Sequence, residues 1–125
     1  MFTLPRKRML KRRSDFQRVY HAGRSYANRY FVLYVFVSDQ LDGKVGFAAG
    51  KKLGCAAVRS RVKRLLRESY RKHQDLVRPG LALLLVGRKA MTGVKCDVVE
   101  DAFLSLGRKA GIFLQEGSQK RGNKA

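Results

Sequence analysis

Residues 28–37, Asn-Arg-Tyr-Phe-Val-Leu-Tyr-Val-Phe-Val, constrain the fold of this chain more than any other stretch. Aromatic and β-branched residues fill the segment, so it reads as a strand. A two-residue period puts Tyr30, Val32, Tyr34 and Phe36 on one face and Phe31, Leu33, Val35 and Val37 on the other. Both faces are apolar and both need cover, which places the strand inside a layered α+β structure rather than on a one-sided sheet.

The rest of the chain supplies that cover. Ser14-Asp15-Phe16-Gln17 has the form of a capping box, Gly23 is a stop, and Phe16, Val19 and Tyr20 sit at i, i+3, i+4, which predicts a helix over 15–22. A brief strand is expected at 24–26. Asp42-Gly43 is a hairpin signal, and Val45, Phe47 and Ala49 alternate inward along 44–49, so this strand is expected to pair antiparallel with the one before it. Residues 56–72 contain no Gly or Pro and repeat Val58, Val62, Leu65, Leu66 and Ser69 at helical spacing. Pro79-Gly80 marks a turn, and Leu81 to Val86 reads as a short strand covered on both faces. Asp97 opens a last amphipathic helix through Val98, Ala102, Phe103 and Leu106, continuing to Ile112–Leu114. The expected fold class is α+β, a single αβββαβα sandwich over residues 1–125. Residues 1–13 are expected to be a basic arm ordered by its partner, and 115–125 a disordered polar tail.

Charge narrows the function. The 125 residues carry 28 Lys plus Arg against 9 Asp plus Glu, a net charge of +19. Residues 1–29 hold nine of the basic side chains and residues 51–72 hold nine more, with one acid in each window. On a helical wheel Arg64, Arg67 and Arg71 lie opposite the apolar stripe of 56–72, Arg59 and Lys63 lie on one flank, and Arg61 on the other. A solvated helix face normally mixes signs, but here only Glu68 offsets seven cations, five of them Arg. Arg suits phosphate forks and stacking on bases, so the expected partner is a folded RNA.

Other classes fit poorly. The longest apolar stretch falls far short of the roughly 20 residues of a membrane span, and basic residues near the start have no apolar h-region behind them, so a cytoplasmic location is expected. Cys55 and Cys96 are isolated and read as reduced thiols without a metal. His21 and His73 stand apart, and Asp97, Glu100 and Asp101 look like ordinary first-turn helix acids, so no catalytic or metal-binding set is expected in the protein itself. Phe16, Tyr20 and Tyr34 are open to two readings, as core or as part of an aromatic face bordered by cations that takes single-stranded nucleic acid.

At this point the residues are specific enough to name a family. Residues 51–68, Lys-Lys-Leu-Gly-Cys-Ala-Ala-Val-Arg-Ser-Arg-Val-Lys-Arg-Leu-Leu-Arg-Glu, closely resemble the signature of the bacterial ribonuclease P protein component. So does Asp15-Phe16-Gln17-Arg18-Val19-Tyr20, followed by Gly23 and by Ala27-Asn28-Arg29-Tyr30-Phe31-Val32-Leu33-Tyr34. The resemblance implies the small subunit of an RNA-based endonuclease that removes the 5′ leader from precursor tRNA, with magnesium used by the RNA. Its partners would be the catalytic RNA and precursor tRNA, with no obligatory protein partner. Family likeness also implies the αβββαβα fold, a mixed four-stranded sheet with a left-handed crossover into the last strand, a hand contrary to the general rule.

Carried onto this chain, the resemblance gives Arg59, Ser60, Arg61, Lys63, Arg64 and Arg67 as the surface for the RNA subunit. Ser60 replaces the Asn of the family's Arg-Asn-Arg motif, keeping a hydroxyl but losing the reach of an amide. It also gives Phe16, Tyr20 and Tyr34 as a leader cleft with Lys51, Lys52 and Lys89 on its rim. A basic ribosomal protein or RNA chaperone, which only scaffolds RNA, is the competing reading of the same composition.

Overall fold

The computed structural model describes residues 8–114. The expected order of elements is present: α1 (Arg13–Ala22), β1 (Arg24–Ala27), β2 (Phe31–Val37), β3 (Val45–Ala49), α2 (Ala56–His73), β4 (Leu81–Gly87) and α3 (Cys96–Ala110). Short 3-10 turns at Lys51–Leu53 and Lys89–Gly93 follow β3 and β4.

The sheet order is β1-β2-β4-β3, which corrects the expected hairpin. β4 pairs antiparallel with β2 and parallel with β3, so β2 and β3 are not neighbours. The reason lies in β4, whose Leu81 to Leu85 are all buried and which therefore takes a central place with helices on both faces. Asp42-Gly43 still makes a turn, but it binds the start of β4 instead of closing on β2. Asp42 Oδ1 accepts the Gly80 N–H at 2.6 Å, and the Gly43 N–H donates to Leu81 O at 3.0 Å. α2 then carries the chain from β3 to its parallel neighbour β4.

Alternation along β4 divides the core. Leu81, Leu83 and Leu85 face α2 and α3 with Phe31, Leu33, Val62, Leu66, Val99 and Phe103. Ala82, Leu84 and Val86 face α1 with Val19, Phe16, Tyr34 and Phe36. The buried stripe of α2 is Val62, Leu65, Leu66 and Ser69, as its spacing predicts, together with Tyr70. Tyr70 sits edge-on between Phe47 and Phe103, both ring centroids 6.0 Å away, and burial pushes its phenol up to about 12.

Four local expectations change. The capping box does not form: α1 starts earlier, with the N–H groups of Asp15 and Phe16 bonded to Arg12 O, and Gln17 Oε1 contacts His21 Nε2 at 2.8 Å. Tyr30 leaves the face of Val32, Tyr34 and Phe36, because Asn28 Oδ1 accepts the N–H groups of Tyr30 and Phe31 in a turn that delays β2 to Phe31. α3 ends at Ala110, where Gly111 takes the left-handed conformation, and Phe113 turns back to bridge Val77. The last part of the basic arm is built into the fold: Met9 bridges Val45, and Leu10 is buried with its N–H on Val45 O at 2.9 Å. Residues 1–7 and the tail 115–125 lie outside the described residues.

Candidate nucleic-acid interface

α2 presents its cations because of how its ends are held. Gly54 precedes it at φ 141°, a conformation open to glycine, and turns the chain from the Lys51–Leu53 turn into the helix. At the far end the cations are consumed. Arg71 contacts Glu68 at 2.6 Å and holds its carboxyl below the usual range, while Lys72 and His73 contact Glu100 of α3 at 2.8 and 3.4 Å. The N-terminal two-thirds of the helix is different. Ser60, Lys63, Arg64 and Arg67 are exposed, and the three cations have no ion pair among the described residues.

Arg59 and Arg61 flank this surface and are half-buried. Arg61 Nη2 donates to Val94 O at 3.0 Å, anchoring the segment before α3, and its guanidinium retains further donors. Arg59 Nε is buried without a hydrogen-bond partner among the described residues. Cys55 is exposed just before the helix, where the N–H groups of Val58 and then Ala57 draw its thiol below the ordinary value.

The second site lies on the α1 face of the sheet. Strand register builds it in two rows, since directly paired residues share a face. Gly46, Leu84, Tyr34 and Ser25 form one row, and Ala48, Val86, Val32 and Ala27 form the next. α1 lies over the first row. A Cβ at Gly46 would sit 2.8 Å from Phe16 Cζ, so the glycine makes room for that ring. Tyr20, 50% exposed, meets Tyr34 with ring centroids 5.0 Å apart. Burial, and then Tyr20 beside it, raises the Tyr34 phenol above its ordinary value.

The second row forms the open floor of a groove beside α1. Val32, Val86 and Ala48 are half-buried and Ala27 is exposed. Beyond the floor, at the shared C-terminal end of the parallel strands β3 and β4, stand Lys51, Lys52 and Lys89, all exposed. Phe16, Tyr20 and Tyr34 are thus brought together on one wall, and the three lysines line one end. Sequence reasoning placed Val32 on the face of Tyr34 but did not identify Ala27, Ala48 and Val86 as its companions, because their small aliphatic side chains look like ordinary strand. It also missed Arg18, whose guanidinium lies 5.5 Å from the Phe36 ring centroid on the same sheet face.

The histidines are engaged elsewhere, His21 with Gln17 on α1 and His73 with Glu100 at the end of α2. Among the described residues, no group of three or more His, Cys, Asp or Glu could hold a metal ion. No described helix is long and apolar enough to cross a membrane.

The ribonuclease P family profile matches residues 4–111. The chain belongs to the ribonuclease P protein family. The ribonuclease P protein component of Clostridium acetobutylicum is 36% identical over 109 residues, covering 86% of this chain and 92% of that one. That of an Exiguobacterium species is 36% identical over 108 residues, covering 86% and 94%. Among solved structures, the RNase P protein of Staphylococcus aureus superposes with a TM-score of 0.76 at 28% identity, covering 86% of this chain and 98% of that one. The RNase P protein from Thermotoga maritima gives a TM-score of 0.70 at 27% identity, covering 80% and 96%. Membership of the family ties this chain to tRNA processing and to association with the RNase P RNA.

Proposed function

We propose that this chain is the substrate-binding and charge-neutralising subunit of ribonuclease P, docking on the catalytic RNA through α2 and holding the 5′ leader of precursor tRNA in the groove beside α1. The observation that carries the reading is the pairing of two unlike surfaces. One is a helix face of unmatched cations, Lys63, Arg64 and Arg67 flanked by Arg59 and Arg61, suited to phosphates of a structured RNA. The other is a groove with aromatic wall and aliphatic floor, where bases stack without sequence readout.

On this reading cleavage and its magnesium ions belong to the RNA subunit, and the protein acts by binding. Arg59, Ser60, Arg61, Lys63, Arg64 and Arg67 hold the RNA subunit. Phe16, Tyr20 and Tyr34 stack on leader bases, and Lys51, Lys52 and Lys89 neutralise the leader's phosphates. Holding the leader favours precursor over the mature product, which lacks it, and so promotes turnover without a catalytic side chain. The test is multiple-turnover cleavage of precursor tRNA at low magnesium by the catalytic RNA, with and without this protein. Stimulation by the protein supports the reading. RNA binding with no effect on cleavage would make the chain a scaffold instead.

A further inference from the structure

The β1–β2 turn and α3 border an open surface pocket of about 200 Å3 lined by Arg29, Tyr30, Ser105 and Lys109. Its frame is tied together by Asn28. The side-chain oxygen of Asn28 accepts the N–H groups of Tyr30 and Phe31, both at 2.8 Å, and Nδ2 donates to Ala102 O of α3 at 3.5 Å. Arg88 Nη1 donates to Asn28 O at 2.8 Å and braces the same turn. Arg29 and Lys109 are exposed, have no ion pair among the described residues, and share the pocket with no carboxylate. Two unmatched cations beside two hydroxyls make a set that recognises phosphate. A larger cavity of about 630 Å3 near Arg8 and Arg78 is lined by Asp42 and Asp75 as well, so its charge is mixed.

Position argues for which phosphate. Ala27 ends the floor row of the groove and also lines this pocket, so a strand leaving the groove over the β1 edge meets Arg29 and Lys109 next. The RNA-docking helix is on the other side of α3. At about 100° per residue, Ser105 and Lys109 lie roughly 140° and 180° around α3 from Glu100, which faces α2 through Lys72. We propose that this pocket binds a backbone phosphate of the precursor's leader, upstream of the segment held against Tyr20 and Tyr34, an inference that rests on the leader reading above.

The experiment compares holoenzyme binding of three RNAs: mature tRNA, a precursor whose leader just spans the aromatic groove, and one whose leader is several nucleotides longer. The paired variant Arg29→Ala/Lys109→Ala should weaken only the long-leader precursor, by about fourfold per lost phosphate contact near 0.15 M salt, with the salt slope falling by about 0.7 per contact. Arg29→Lys/Lys109→Arg should retain most of the affinity, which a purely structural defect would not predict. Equal losses for both precursors, or weaker binding to the RNA subunit alone, would assign the pocket to another stretch of RNA and overturn the proposal. Unchanged binding of the long-leader precursor would also overturn it. The leader reading itself fails by a separate sign, a parent holoenzyme that does not distinguish precursor from mature tRNA.

Discussion

Gly87, the last residue of β4, and Val62, on the buried face of α2, approach so closely that a Cβ on the glycine would clash with Val62 Cγ1. This contact brings α2 close to the strand that leads directly into Arg88 and Lys89. Gly87→Ala should destabilise the fold by about 1 to 3 kcal/mol through overpacking, because Val62 is fully buried and has nowhere to move. Denaturant unfolding checks it. The double variant with Val62→Ala should cost less than the sum of the two single changes, since the clash is then removed.

The basic helix offers a prediction in salt. Arg64→Ala and Arg67→Ala should leave stability nearly unchanged, because both side chains are exposed and free of ion pairs among the described residues. Each should weaken binding to the RNA subunit and lower the salt slope by about 0.7 to 0.9 per lost phosphate contact. Arg61→Ala should weaken RNA binding in the same way and also lower stability, because it removes the bond to Val94 O. Titrations at several salt concentrations separate these outcomes, and unchanged slopes for Arg64 and Arg67 would remove this face from the interface. Ser60→Asn should be tolerated, since Ser60 is exposed.

A third prediction follows from Glu100, whose carboxyl is held below its ordinary value by the Lys72 hydrogen bond first and by His73 as well. A depressed carboxylate stabilises the fold above its unfolded pKa of about 4.3, and that contribution is lost as pH falls through the lower folded value. Glu100→Gln should therefore lower the melting temperature slightly at neutral pH, the effect of a partly exposed pair being small. The difference from the parent protein should vanish in acid, once the carboxyl is protonated. A gap that persists unchanged at low pH would assign the loss to packing instead.

The parts of the structure legible in the sequence are those set by local period. The stripe Val62, Leu65, Leu66 and Ser69 defines the buried face of α2, and the acid-poor run opposite defines its exposed face. Strand pairing was less legible, because Asp42-Gly43 is chemically the same turn whether it closes on a neighbouring strand or on one that arrives 38 residues later through Gly80. Only the competition for the central place, won by the wholly apolar Leu81–Leu85, decides between them. The aromatic wall could be listed residue by residue, yet its floor of Ala27, Val32, Ala48 and Val86 comes from four strands and exists only once their register is set. Met9 and Leu10 were hidden in the same way: surrounded by Arg and Lys, they read as part of an arm until Val45 offers them an edge.

The groove yields the last prediction. Tyr20 is half exposed and Tyr34 is half-buried beneath it, so Tyr20→Ala removes a stacking surface while disturbing little of the core. If leader bases stack there, this change should cost about 1 to 3 kcal/mol of precursor binding. Tyr34→Ala should cost a similar amount together with some stability. Phe16 is packed among Leu10, Val19 and Leu84, so Phe16→Ala should destabilise the fold more than either tyrosine change. Mature tRNA has no leader, and its affinity should hardly move in Tyr20→Ala. The ratio of precursor to mature binding should thus shrink while binding to the RNA subunit stays level. Circular dichroism on the same sample establishes that the variant is folded, after which only the two tRNA affinities need comparison. Equal losses for precursor and mature tRNA would return the aromatics to a purely structural role, and an undiminished preference for precursor would place the leader elsewhere on the protein.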